Sequence, residues 1–233
     1  YSGHGLLDLG SYEAYLRGRY FWSRAGKRLA DCVRSFEQAI EREPSFAPAY
    51  AGQAYCYASL GFVQSPQEVF PKAKAAATKA LEMNDALAEA HVALAMVKEL
   101  FDWDWPGVET ELKRAIELNP NSFDAHWLYS SHLAAMARFE EAIAESKQAR
   151  DLDPLSPNAN AEVAWVYLHA RRYDEAIVHY RKAVELDPSS GWAPGQMPWC
   201  FTLKGDYAQA FAEYQKIGMP AGDPFLGYLH AVS

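Results

Sequence analysis

Leu152-Asp153-Pro154 is followed 34 residues later by Leu186-Asp187-Pro188, and the same step back from Pro154 lands on Pro120 in Leu118-Asn119-Pro120. The stretch between the prolines repeats with them. With each proline set at position 32 of a 34-residue unit, Tyr129, Ser130, Leu133, Phe139, Ala142 and Ala149 correspond one for one to Val163, Ala164, Tyr167, Tyr173, Ala176 and Ala183. A fixed period of this size is the mark of a solenoid, in which each helix-turn-helix unit buries its apolar face against the next. Small residues at positions 8, 20 and 27 let antiparallel helices come close. Proline at 32 ends the second helix because it drives the residue before it out of the α region.

Working outward, the other units keep the pattern with insertions. Tyr50, Ala54 and Tyr57 hold positions 4, 8 and 11 of the second unit, but seven extra residues lie between Gly61 and Ala73, and Asp85 stands in for the proline. Within that insert Ser65-Pro66-Gln67-Glu68 has the form of a capping box with proline at N1, which predicts a short extra helical turn. The third unit supplies His91, Leu94, Ala95, Val108, Leu112, Ala115 and Pro120, with one extra residue in the turn Asp102-Trp103-Asp104-Trp105. Pro71 and Pro106 both fall at position 18, in the first turn of a second helix, where proline is tolerated. The first unit keeps Phe36 and Ala39. The sixth keeps Phe201, Gly205, Tyr207, Ala210 and Tyr214, with Pro194 and Pro198 predicting a short or kinked first helix.

These matches resemble the tetratricopeptide (TPR) family over roughly Ser11 to His230, nearly the whole chain. The resemblance implies an all-α, right-handed α-solenoid of about six repeats and a truncated seventh. The repeats run over approximately 11–46, 47–87, 88–122, 123–156, 157–190 and 191–220, with a partial repeat at 221–233 and a glycine-rich linker at 1–10. Tyr15-Leu16-Arg17-Gly18-Arg19-Tyr20, Asp102-Trp103-Asp104-Trp105 and Leu152-Asp153-Pro154-Leu155-Ser156 are similar to stretches of the TPR arrays of bacterial multidomain regulators, whose output domains are winged-helix, Ser/Thr kinase or cyclase domains. That narrower resemblance implies the docking or sensing part of a longer protein.

In TPR proteins the first helices line a concave face to which positions 2, 5, 9, 12 and 13 contribute. Here those places give Tyr55; Glu89, Val92, Met96 and Glu99; Asp124, Trp127 and Ser131; Asn158, Trp165 and His169; and Trp192 and Trp199. The implied groove is aromatic with scattered acid groups. The family's clamp for a terminal carboxylate needs Lys and Asn at positions 5 and 9. Those places hold Ala51, Tyr55, Val92, Met96, Trp127, Ser131, Ala161 and Trp165, so the clamp's residues are not there. An apolar segment carrying Lys or Arg suits the groove better. Trp127, Trp165 and Trp199 either pack between first helices or stand partly exposed in the groove. Trp105, at position 17, is expected in the core. Trp103 is either a surface residue or a staple for its turn.

The 22 Lys and Arg against 30 Asp and Glu give a formal charge of -8, which argues against direct nucleic-acid binding. The longest nearly uncharged apolar run, Val92 to Val97, is far short of the roughly 20 residues of a membrane span. Cys32, Cys56 and Cys200 form no CxxC pair, and they read as buried thiols of a reducing, cytoplasmic compartment. His91 and His126, both at position 4, read as satisfied core histidines. His132, His169 and His179 lack the spacing of a metal-binding helix. Glu140-Glu141 and Asp174-Glu175 open second helices, where acidic groups face the positive dipole end.

No cofactor, metal site or catalytic constellation is therefore expected. The expectation is a non-catalytic scaffold that binds a protein or peptide segment. The alternatives are a small-ligand sensor using the groove tryptophans, or self-association through terminal helices.

Overall fold

A computed structural model of the chain describes residues 8–22, 28–189, 193–218 and 231. The described residues form twelve α-helices and no strand. They follow in pairs: α1 (Leu9–Trp22) and α2 (Leu29–Arg42), α3 (Ala47–Leu60) and α4 (Pro66–Met83), α5 (Ala88–Val97) and α6 (Trp105–Leu118). The series continues with α7 (Phe123–Ala135) and α8 (Phe139–Leu152), α9 (Pro157–His169) and α10 (Tyr173–Leu186), α11 (Ala193–Lys204) and α12 (Tyr207–Lys216). This is the all-α helical repeat of solenoids. None of these helices is long and apolar enough to cross a membrane.

The chain divides into two compact units, residues 1–125 and 126–233. In the first, α1 packs on α2 and α3, and α3 on α4 and α5. Phe36 sits fully buried between Gly18 and Gly52, where an added Cβ would lie 2.8 Å and 2.3 Å from the ring. A side chain at either glycine would take the space the ring occupies, so α1 and α3 close on Phe36 only as glycine-bearing helices. In the second unit α9 packs on α8, α10 and α11. The repeat alanines Ala142, Ala149, Ala164, Ala176 and Ala183 are all buried, as close helix approach requires.

The period is written into the backbone as well. Trp103, Ala137, Arg171 and Gly205 fall 34 residues apart and all take left-handed conformations, with φ of 57°, 57°, 59° and 83°. Each ends a first helix and turns the chain toward its partner. Beyond the last three, Arg138, Arg172 and Asp206 donate their backbone N–H to the carbonyls of Leu133, Tyr167 and Phe201, the 6→1 bond of a Schellman cap. In the third repeat the extra residue is absorbed by a π-helical turn, Lys98–Asp102, and Asp104 reaches back one residue further, to Lys98.

Several expectations are corrected. The extra helical turn expected in the insert is present as the start of α4, with Ser65 as N-cap and Pro66 at N1, but the Ser65 side chain makes no capping bond to the backbone and the capping box is not formed. Pro71 consequently lies inside α4 instead of in its first turn. Helix α1 begins at Leu9, inside the stretch read as linker, because Asp8 caps it by accepting the Ser11 N–H at 2.7 Å. In α11 only Pro198 is interior, since Pro194 falls in the first turn. Trp105 is half-buried, like Phe139, Tyr173 and Tyr207 at the same position, because each opens a helix beside a solvent-exposed turn. Cys32 and Cys56 are bonded to each other across α2 and α3, which removes the ground for reading a reducing compartment from the cysteines; Cys200 is a buried free thiol. The truncated seventh repeat, residues 221–233, and linker residues 1–7 lie outside the described residues, apart from Ala231.

Candidate functional site

In the second unit the first helices α7 and α9 meet around one carboxylate. Glu162 is only 5% exposed, yet it is the single Asp, Glu, Lys or Arg between Pro154 and Ala170. A charge taken out of water must be given hydrogen bonds. Ser131 Oγ donates to it at 2.8 Å and Ser130 Oγ at 3.3 Å, and the Trp127 indole N–H donates as well. Burial, the largest influence, pushes Glu162 above the usual carboxylate range, and these donors together with the nearby His169 pull it back without cancelling the effect.

Of the tryptophans expected in the groove, one is bonded to Glu162. Trp127 is held at its N–H with its ring half-buried. One turn beyond Glu162, Trp165 is half-buried and lies against the exposed His169, ring centroids 4.0 Å apart, with His169 Nδ1 2.9 Å from the Trp165 carbonyl. Trp199 on α11 is 40% exposed. Asn158 is exposed at the second position of α9. Trp192 lies outside the described residues.

The first unit carries a more closed arrangement. Tyr55 is buried, its ring stacked on Trp22 at 4.1 Å, and its hydroxyl donates to the half-buried Asp124 at 3.0 Å. Burial and the Asp124 charge raise the Tyr55 phenol well above its ordinary value. Burial also raises Asp124, against the Tyr55 hydrogen bond and the charge of Arg19. Arg19 reaches Glu89 at 3.2 Å and lies over the Trp22 ring at 4.8 Å. Val92 and Met96, expected to line the groove, are 1% and 4% exposed: apolar side chains on α5 are covered where α3 packs. They are core. Tyr55 is likewise closed off by Trp22, and Glu99, in the π-helical turn, is half-buried.

The position-4 histidines are satisfied as expected. His91 Nδ1 lies 2.6 Å from Glu111, which also receives Lys98 at 2.8 Å, and His126 Nδ1 lies 2.6 Å from Glu145. Among the described residues no group of three or more His, Cys, Asp or Glu is arranged to hold a metal ion. The groove positions gave no hint of Glu162, which sits at position 6, where other units have Gly52 and Ala93. Its isolation in an otherwise uncharged helix is the signal that marks it.

A family profile described as tetratricopeptide repeat matches residues 130–191. No curated protein is matched. Among solved structures, TTC0263, described as a thermophilic TPR protein of Thermus thermophilus, is similar with a TM-score of 0.64 at 20% identity, over 87% of this chain and 99% of that one. YrrB, described as a TPR protein with an unusual peptide-binding site, gives 0.51 at 21% identity over 80% of this chain and 91% of its own. The human IFIT1 dimer with m7Gppp-AAAA gives 0.75 at 17% identity, over 91% of this chain and 51% of that one. At these identities the likeness concerns the fold.

Proposed function

We propose, from the premise that this chain is a tetratricopeptide-repeat protein, that it is a non-catalytic scaffold whose second unit grips an apolar protein segment on the Trp127–Trp165 wall. The observation that carries this reading is the buried Glu162, whose acceptors are spent on Trp127, Ser130 and Ser131. It thereby holds Trp127 in one pose before any partner arrives. Rigid, half-buried aromatics lose little entropy on binding, and such residues provide most of the energy at protein interfaces. The net charge of -8 favours a segment that carries Lys or Arg beside its apolar anchors. A peptide occupant is also in keeping with the peptide-binding site in YrrB's description. Glu162 acts through Trp127, as a positioning residue.

The test is a titration of tryptophan fluorescence with a positional-scanning peptide library and, in parallel, a panel of metabolites. Saturable changes are expected with peptides that pair an aromatic or branched apolar residue with a Lys or Arg. They should weaken in Trp165→Ala and Glu162→Gln proteins whose helical content is unchanged. Saturation by small molecules alone would reject the scaffold reading in favour of a ligand sensor.

A further inference from the structure

One patch of this acidic chain inverts the overall sign. Between the second helices α8 and α10 runs an open cleft of about 480 Å³ lined by Arg150, Asn160, His179, Arg181, Lys182 and Glu185, with Val178 at its edge. Its base is fixed by the buried Asn160, whose amide donates to the carbonyls of Pro154 at 3.1 Å and Ser156 at 2.9 Å.

Beside the cleft, the buried Tyr167 ring carries one of its lining residues, His179, and two cations. His179 stacks on it at 5.5 Å and 10°, Lys147 lies over it at 5.5 Å and Arg172 at 4.8 Å. An aromatic face attracts each cation and so offsets their mutual repulsion. Arg172 is answered by Glu175 and Glu140. Of the rest, Arg150 pairs with Asp151 at 2.6 Å and Lys182 with Glu185 at 3.6 Å, whereas Lys147 and Arg181 have no carboxylate partner among the described residues. The cleft lining itself holds three cations, Arg150, Arg181 and Lys182, and one carboxylate, Glu185, while Asp151 pairs with Arg150 from beside it. His179 is held below its ordinary pKa by burial first and then by the charges of Arg150 and Lys147.

We propose that this cleft binds a phosphomonoester, the dianion of a phosphorylated small molecule or of a phosphorylated side chain, between Arg150 on α8 and Arg181 and Lys182 on α10. A phosphomonoester supplies close to two negative charges at neutral pH, which a single carboxylate does not. Its three oxygens suit the planar fork of Arg181 and the donors that Arg150 does not spend on Asp151. A bound dianion offsets the lowering that Arg150 and Lys147 exert on His179, leaving that from burial, so the ring's proton affinity rises and a protonated His179 adds a donor to the bound oxygens. This site lies on other helix faces than the tryptophan wall, and its occupancy does not depend on the scaffold reading.

The experiment follows the His179 ring signals by NMR in the full 233-residue chain during titration with a phosphoserine peptide, its unphosphorylated twin, and glucose 6-phosphate. Expected are saturable shifts with one or both phosphorylated probes and a rise in the His179 pKa at saturation. Arg150→Gln with Arg181→Gln should weaken binding by about tenfold or more for each charged hydrogen bond lost. The probe that saturates at lower concentration identifies the source of the phosphate. Absence of saturation with both phosphorylated probes, or equal shifts with the unphosphorylated twin, overturns the proposal. Should the double variant not fold, exposed Arg181→Gln alone serves; full affinity in that variant would also overturn it.

Discussion

Ser131 on α7 donates its hydroxyl to Glu162 on α9 at 2.8 Å, tying neighbouring first helices through a buried carboxylate. Two serines and an indole share that one acceptor group, so the charge is dispersed without a cation in direct contact. The consequence is a side chain whose protonation state is linked to folding.

Glu162 and Glu111 should leave opposite marks on stability against pH. Burial raises Glu162 in the folded state, so its contribution is present below the unfolded value of about 4.3 and is lost as pH climbs through the folded value. For Glu111 burial is outweighed by hydrogen bonds from His91 and Lys98, so its contribution is present above about 4.3 and is lost as pH falls. Urea unfolding across the acid range should show the advantage of wild type over Glu162→Gln shrinking as pH rises, and that over Glu111→Gln growing. Parallel differences would refute the assignment.

Gly52→Ala should destabilise the first unit by about 1–3 kcal/mol, the usual cost of overpacking, since its Cβ would meet the Phe36 ring. Pairing it with Phe36→Leu should recover part of the loss. Chemical denaturation of the two variants and their combination measures this; simple additivity would mean the contact is not what limits the site.

Arg171→Gly and Ala137→Gly should each stabilise the protein by up to about 1 kcal/mol, because a left-handed backbone costs a residue with a Cβ roughly that much. Both positions have φ near 60°, and Gly205 already fills the equivalent turn. A fall in melting temperature would contradict the capping role.

Trp165→Ala should cost partner binding about 2 kcal/mol or more if the tryptophan wall is the contact surface. Circular dichroism alongside the binding titration separates the two roles of the half-buried ring. Unchanged affinity in a folded variant counts against the wall as the site.

How much of this was legible beforehand differs from residue to residue. The alanines at 142, 149, 176 and 183 announced their burial, because the spacing of small residues is itself the record of helix contact. The groove positions were less informative: Val92 and Met96 carry the right numbers yet are buried, while Trp165 and Trp199 stay partly or largely exposed. Position counting fixes the direction of a side chain from its own helix and says nothing of what the neighbouring helix places over it.

By itself the sequence determined the period, the pairing of helices and the places where each turn falls, since these follow from local preferences repeated every 34 residues. Only the tertiary structure decided which charges are withdrawn from water and what answers them. Glu162 meets Ser131 and Trp127, and Tyr167 meets Lys147 and His179, because separate helices are packed side by side. Hydrogen bonding and desolvation act through space, over a few ångströms, and a linear spacing does not encode those distances.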